Sequence, residues 1–156
     1  MKQRVYIDTS VIGGCFDKEF EEWSTQLFED FKNEIRIPIV SDIIIDELTD
    51  APENVRNKFY EIPEASLEFI TNDEESTELA DQYVFEKAIT EKYYEDALHL
   101  AMATIHQVSV LSSWNFKHIV NLDRIRFYNA VNIKNGYSYL EIRTPREIVK
   151  TEDNED

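Results

Sequence analysis

Four side chains of this sequence would make a metal site if the fold gathers them: Asp8, Glu47, Asp96 and Asn115. Asp8 closes the short apolar run Val5-Tyr6-Ile7, and Thr9-Ser10-Val11 opens a helical pattern directly behind it. In open α/β sheets ligands sit in the crevice just past the strand ends, so an acid there reaches a metal or substrate. Asp is also a good helix N-cap, and the residue alone does not decide between the two roles. A second strand tip, Val108–Leu111, runs into Ser112-Ser113-Trp114-Asn115-Phe116, again placing side-chain oxygens past a carboxyl end.

Two helices add acids. In residues 41–50, Asp42, Asp46 and Asp50 recur every four residues and form an outward stripe, while Ile44, Ile45 and Leu48 define the core side. Glu47 borders that core side. A carboxylate there is costly unless paired or bound to a cation, although a glutamate at a helix end also snorkels to water. Asp96 stands in the first turn of the apolar helix Asp96-Ala-Leu-His-Leu-Ala-Met-Ala, where the helix dipole favours an anion. His99 lies one turn further on the same side, as a packing histidine or as a hydrogen-bond partner of the site. Carboxylates plus an amide suit a hard cation, Mg²⁺ or Mn²⁺. The three histidines and one cysteine do not supply zinc-type spacing.

Composition narrows the setting. At 156 residues and 42% apolar content, the chain is long enough and apolar enough for one packed domain despite 31% charged residues. We expect a single domain over 1–150 and an acidic, disordered tail over 151–156. No apolar run is long enough to span a membrane, no signal peptide is apparent, and Cys15 has no partner for a disulfide, so a reduced, cytoplasmic location is expected. The net charge of −16 argues against indiscriminate nucleic-acid binding. The distribution is uneven: residues 117–150 hold seven basic against three acidic side chains, whereas 1–116 hold nine against twenty-five. Lys117, Arg124 and Arg126, close behind Asn115, are the candidates for guiding a polyanion to an acidic site.

The elements that must position these residues alternate. Strands are expected at 4–8, 35–40, 67–70, 108–111 and 139–142. Helices are expected within 10–33, from Ser41 as cap to Thr49, from Pro52 to Tyr60, from Asn72 as cap to Thr90, and over 93–106, 122–135 and 145–150. Pro38 suggests that the second strand lies near an edge or the start of pairing. Strands separated by helices, with no hairpin signals, imply a three-layer α/β/α sandwich on a mostly parallel sheet of about five strands.

At these residues the chain resembles the PIN domain family, in its VapC-like prokaryotic branch. The resemblance rests on Val-Tyr-Ile-Asp8-Thr-Ser10, on Glu47 after the second strand, on Asp96-Ala-Leu-His99-Leu-Ala, on Ser113-Trp-Asn115-Phe-Lys-His-Ile and on Leu140-Glu-Ile-Arg-Thr-Pro-Arg-Glu-Ile. It covers nearly the whole chain; each motif is weak alone and the combination is fairly specific. It implies a parallel sheet between helices, a Mg²⁺ or Mn²⁺ site and phosphodiester hydrolysis, usually of RNA, leaving 5′-phosphate and 3′-hydroxyl ends. Asp8, Glu47 and Asp96 match the family's metal-binding acids, and Asn115 falls where many members have a fourth acid. That departure weakens any second metal site, although an amide oxygen still binds a metal or its water.

By this resemblance Asp8 and Asp96 hold the principal cation, Glu47 ligates directly or through water, and Asn115 with Ser10 or Ser113 positions water or the scissile phosphate. Clustered carboxylates raise one another's pKa, so the empty site should take up protons at mildly acidic pH and activity should rise with pH. The implied role is the toxin of a toxin–antitoxin pair, neutralised by a small antitoxin protein and forming a homodimer. The alternative is a PIN-like domain that has lost catalysis and binds protein or RNA. An aspartyl-phosphate phosphatase with Asp8 as nucleophile would want a second acid two positions on, where this chain has Ser10.

Overall fold

The computed structural model of the chain describes residues 1–153. Five strands, β1 (Gln3–Ile7), β2 (Arg36–Ser41), β3 (Glu68–Ile70), β4 (Val110–Ser112) and β5 (Ile142–Arg143), form one sheet in the order β3-β2-β1-β4-β5, and every pairing is parallel. Parallel neighbours need crossover connections. These are α1 (Thr9–Gly14) and α2 (Glu21–Lys32) after β1, α3 (Asp42–Thr49) and α4 (Glu53–Phe59) after β2, and α5 (Glu74–Phe85) and α6 (Tyr94–Ile105) after β3. Helix α7 (Leu122–Lys134) links β4 to β5, and α8 (Pro145–Asp153) follows β5. Val5, Tyr6 and Ile7, which alternate between the sheet's two faces, are all fully buried, so helices cover both sides. The expected α/β/α layering is the one observed.

From β1 the chain builds outward through β2 and β3 on one side, then returns to lay β4 and β5 on the other. Strand order therefore reverses at the β1/β4 seam, where an open α/β sheet presents its crevice. Pro38 sits one residue before Ile39, the first residue of β2 that pairs with β3, so no ladder on that side is interrupted.

Element boundaries differ from the sequence reading for identifiable reasons. Helices α2, α5, α6 and α7 end in one motif, with the residue after the C-cap at positive φ: Glu34, Lys87, Gln107 and Gly136. The next N–H reaches back to close the turn, as in Ala88 N to Tyr83 O at 2.9 Å and Val108 N to Ala103 O at 3.2 Å. Only one of the four is glycine, so the other stops were invisible to a search for glycine. Lys87 ends α5 short of Thr90, and Val108 serves the end of α6, which moves β4 to Val110–Ser112. The last strand shrinks to Ile142–Arg143 because the buried Asn129 amide takes both backbone groups of Leu140, from Leu140 N at 2.7 Å and to Leu140 O at 3.1 Å.

Caps also shift. Asp73, not Asn72, caps α5 through a reciprocal pair with Ser76. Ser41 precedes α3 without a capping bond, because its hydroxyl meets Tyr6 instead. Ile45, expected in the core, is 41% exposed; Ile44 and Leu48 alone define the buried stripe of α3. Helix α8 runs to Asp153, into the stretch read as a tail, and residues 154–156 lie outside the described residues. Among the described residues no helix is long and apolar enough to cross a membrane.

Candidate active site

The register Ile7↔Ser112 sets Asp8 and Ser113 side by side at the carboxyl ends of β1 and β4. Asp8 is 5% exposed. Its Oδ1 accepts from Ser10 Oγ at 2.5 Å and from Val11 N at 3.3 Å, and its Oδ2 accepts from Ser113 Oγ at 2.5 Å. Capping of α1 and presentation at the crevice thus coexist in one carboxylate. Burial pushes the Asp8 carboxyl up from its ordinary pKa, opposed by the Ser10 and Ser113 bonds and the nearby His99.

A hydroxyl has one hydrogen, and Ser10 and Ser113 spend theirs on Asp8. Their oxygens accept from Trp114 N and Asn115 N respectively, each at 2.9 Å. In this arrangement the two serines hold Asp8 and the β4 loop.

The loop after β4 is pinned by Trp114. Its Nε1 donates to Ser24 Oγ at 2.8 Å, Ser24 donates to Val11 O at 2.8 Å, and the indole stacks on Phe20 with centroids 4.2 Å apart. This packing requires Gly14: a Cβ there would lie 2.5 Å from Ser24 Oγ and 2.6 Å from Trp114 Nε1. Gly14→Ala is expected to cost about 1–3 kcal/mol in denaturant unfolding as Trp114 is displaced. Gly13→Ala, with open space around its Cβ, is the matched control and should stay within about 0.5 kcal/mol of wild type.

Glu47 reaches the site from α3 and is held on both oxygens. His99 Nε2 contacts Oε1 at 2.6 Å and Thr9 Oγ1 donates to Oε2 at 2.8 Å. His99 is buried, and its Nδ1 lies 2.6 Å from the Tyr6 hydroxyl, which lies 2.8 Å from Ser41 Oγ. Burial alone would raise the Glu47 pKa, but the bond and charge of His99, with Thr9, hold it below the ordinary value. Burial likewise opposes charge on His99, and its bond to Glu47, with Glu47, Asp8 and Asp96 around it, raises its pKa overall. Tyr6, Thr9 and Ser41 were missed as site residues. The available signal was a tyrosine inside a core strand, since a buried phenol hydroxyl needs a partner.

Asp96 lies in the first turn of α6 and is partly buried. Its pKa is pushed up to about 6, by burial first and then by Asp8, Glu47 and Glu95, with His99 opposing. Asn115 Nδ2 donates to Asp96 Oδ2 at 3.3 Å, and Asn115 Oδ1 accepts from His118 N at 3.0 Å. A backbone N–H demands an acceptor, so the amide oxygen is fixed on His118 and the NH₂ faces Asp96. Asn115 therefore meets Asp96 as a donor. Asn115→Asp would set a second carboxylate against Asp96; Mn²⁺ affinity should rise by about tenfold in calorimetry, with a loss of about 1 kcal/mol in the metal-free protein.

The basic candidates do not form one strip. Lys117 is exposed, and it and Arg124 lie close enough to His118 to lower its pKa further after burial. Arg124 donates to Ala88 O at 2.7 Å. Arg126 is exposed and, two residues along α7, lies about 200° around the helix from Arg124.

Among the described residues, no Lys or Arg ion-pairs with Asp8, Glu47 or Asp96. Among them, too, no three carboxylate, imidazole or thiol groups stand close enough to enclose a cation. The donor set fits an open site for Mg²⁺ or Mn²⁺, since Mg²⁺ commonly takes one or two carboxylates and keeps its waters. It does not fit a closed cage. Where all four side chains were expected around one point, the structure shows two linked pairs, Asp96 with Asn115 and Glu47 with His99, beside Asp8.

No protein-family model matches the sequence, and no curated protein matches it. Solved structures match by fold. VapBC2 from Rickettsia felis, bound to a DNA fragment from its promoter, aligns with a TM-score of 0.58 and 14% identity over 91% of this chain and 98% of that one. The sarcin–ricin loop cleaving toxin VapC20 from Mycobacterium tuberculosis aligns with a TM-score of 0.56 and 9% identity over 73% and 92%. A FitAB structure bound to an IR36 DNA fragment aligns with a TM-score of 0.58 and 13% identity over 90% and 94%. At these identities the likeness is one of fold.

Proposed function

From the premise of a VapC-like PIN fold, we propose that the chain is a Mg²⁺- or Mn²⁺-dependent endoribonuclease and the toxin of a toxin–antitoxin pair. One observation carries the reading: Asp8 and Asp96, acids with raised pKa and no Lys or Arg ion-pair partner among the described residues, flank the crevice where strand order reverses. Asp8 and Asp96 would hold the cation with Glu47 alongside. When bound, the cation makes water a nucleophile near neutral pH and offsets charge on the phosphoryl oxygens.

The chain's own residues prepare that site. Ser10 and Ser113 fix both oxygens of Asp8. Asn115 orients Asp96 through a single oxygen and leaves the other for the cation. Thr9 and His99 hold Glu47. Lys117 and Arg124 are the side chains we assign to the RNA backbone, since the site's carboxylates would otherwise repel it. A small antitoxin protein and a second copy of the chain are the partners this reading implies; VapBC2 and a toxin–antitoxin complex from Klebsiella pneumoniae share the fold.

The test is incubation of the purified protein with RNA in Mg²⁺, Mn²⁺ or EDTA. Cleavage confined to the cation samples, leaving 5′-phosphate ends, is expected. Cleavage undiminished by EDTA, or cyclic-phosphate ends, would overturn the mechanism. Asn115 specifically favours a second reading, a catalytically silent binding module, because it sets a neutral amide beside Asp96 where a fourth carboxylate would add charge for a cation. That reading predicts RNA or protein binding with no cleavage under any cation.

A further inference from the structure

We propose that Tyr6 and His99 form a positioning device for Glu47, tying it to the helix that carries Asp96. The inference rests on the cation site proposed above and goes beyond it by assigning work to two core residues.

Glu47 has every reason to leave the site. It comes from α3, after β2, one strand removed from the β1/β4 seam, and its side chain remains 26% exposed. Asp8 and Asp96 repel it and water is within reach. The 2.6 Å contact from His99 Nε2 opposes this. His99 lies three residues after Asp96 on α6, so the two share one helix face and Glu47 is referenced to the same rigid element.

The hydrogen count shows why Tyr6 belongs to the device. An ionised carboxylate only accepts, so Nε2 must carry a hydrogen toward Glu47 whether the imidazole is neutral or charged. Nδ1 is then an acceptor in the neutral ring and a donor in the charged one. The Tyr6 hydroxyl at 2.6 Å serves either, because Ser41 Oγ at 2.8 Å supplies a second partner when the hydroxyl turns. The ring therefore stays anchored at both nitrogens in both states. The edge-on packing of Tyr6 against His99, with ring planes at 61°, adds a steric limit to ring rotation. A phenylalanine at position 6 would keep the packing and lose the anchor.

The experiment compares Mn²⁺ affinity, by electron paramagnetic resonance on metal-free protein, in wild type, Tyr6→Phe, His99→Gln, His99→Ala and Glu47→Gln. His99→Ala should weaken binding by about tenfold or more, the usual effect of removing a residue that orients a ligand. Tyr6→Phe should weaken it by about threefold. His99→Gln, whose amide still donates, should recover most of the loss. Adding His99→Ala to Glu47→Gln should cost nothing further. Folded His99→Ala or Tyr6→Phe protein with wild-type affinity would overturn the proposal, as would a full additional loss in the Glu47→Gln background. Tyr6→Phe, nearly isosteric, keeps the test open if His99→Ala does not fold. If wild type binds no Mn²⁺, the cation reading fails on its own. The positioning claim is then decided by exchange of the His99 Nε2 hydrogen in nitrogen-15 NMR. That exchange should quicken by about fivefold in Tyr6→Phe, and an unchanged rate rejects the device.

Discussion

Asp96→Asn is expected to lower the proposed cation-dependent RNA cleavage by about 10³-fold or more, yet to leave the metal-free protein more stable than wild type at pH 7.5. The amide keeps the shape of the carboxylate and can still meet Asn115, but it cannot neutralise a cation. The gain in stability has a separate cause. Burial, with Asp8, Glu47 and Glu95 nearby, pushes the Asp96 pKa to about 6, so folding opposes its ionisation at neutral pH. Removing that charge should return about 1 kcal/mol, read as a higher denaturant midpoint. Asp8→Asn is expected to abolish cleavage equally but to destabilise. An asparagine offers one acceptor oxygen where Asp8 satisfies Ser10 and Ser113 on two. Opposite stability changes with a shared loss of activity would separate the two acids' structural roles from their common chemical one. Loss of activity with stability falling in both variants would contradict the burial argument for Asp96.

The second large effect is on pH. Mn²⁺ affinity should fall by about fivefold between pH 6 and pH 5 from proton competition at Asp96 alone, with Asp8 adding to it. Metal-free stability should move the other way. A carboxyl whose folded pKa stands above its unfolded value binds more protons in the folded state between the two. Its destabilisation is therefore absent below the unfolded pKa and complete above the folded one. Asp96 places that window between its ordinary 3.8 and about 6, and Asp8 acts in the same direction. His99, raised above 6.5, contributes stability present below its unfolded pKa and lost as pH rises through the folded one. Glu47, held below its ordinary 4.5, works oppositely, but only as pH falls through that lower range. The metal-free protein should thus lose stability steadily from pH 5 to pH 8, and saturating Mn²⁺ should flatten the trend. Thermal melts across that range, with and without cation, measure both arms; a flat metal-free profile would contradict the assignment.

What could be read from the residues was whatever depends on period and position along the chain. Apolar runs located all five strands, and the acid past β1 lies in the crevice because a strand-end residue in a parallel sheet has nowhere else to go. Boundaries failed where the stop used an unexpected residue, as at Lys87 and Gln107, or where a side chain replaced a ladder, as Asn129 does at Leu140. Contacts were not legible where they depend on how a hydrogen is spent. Ser10, Ser113 and Asn115 offer oxygen chemistry as residue types, yet their partners turn them toward Asp8 and Asp96. Arg124 and Arg126 look like a pair in the chain and diverge on the helix. The Tyr6–His99–Glu47 line joins β1, α6 and α3, and no spacing along one chain segment announces it.

In the proposed site Asp8 and Asp96 share one cation. Calorimetric titration of metal-free protein with Mn²⁺ at pH 7.5 tests it directly in wild type, Asp8→Asn, Asp96→Asn and the double variant. A saturable site is expected in wild type, with a loss of about 100-fold or more in affinity in each single variant and no further loss in the double. Wild-type affinity in both single variants, or losses that simply add, would mean that the two acids do not share a cation.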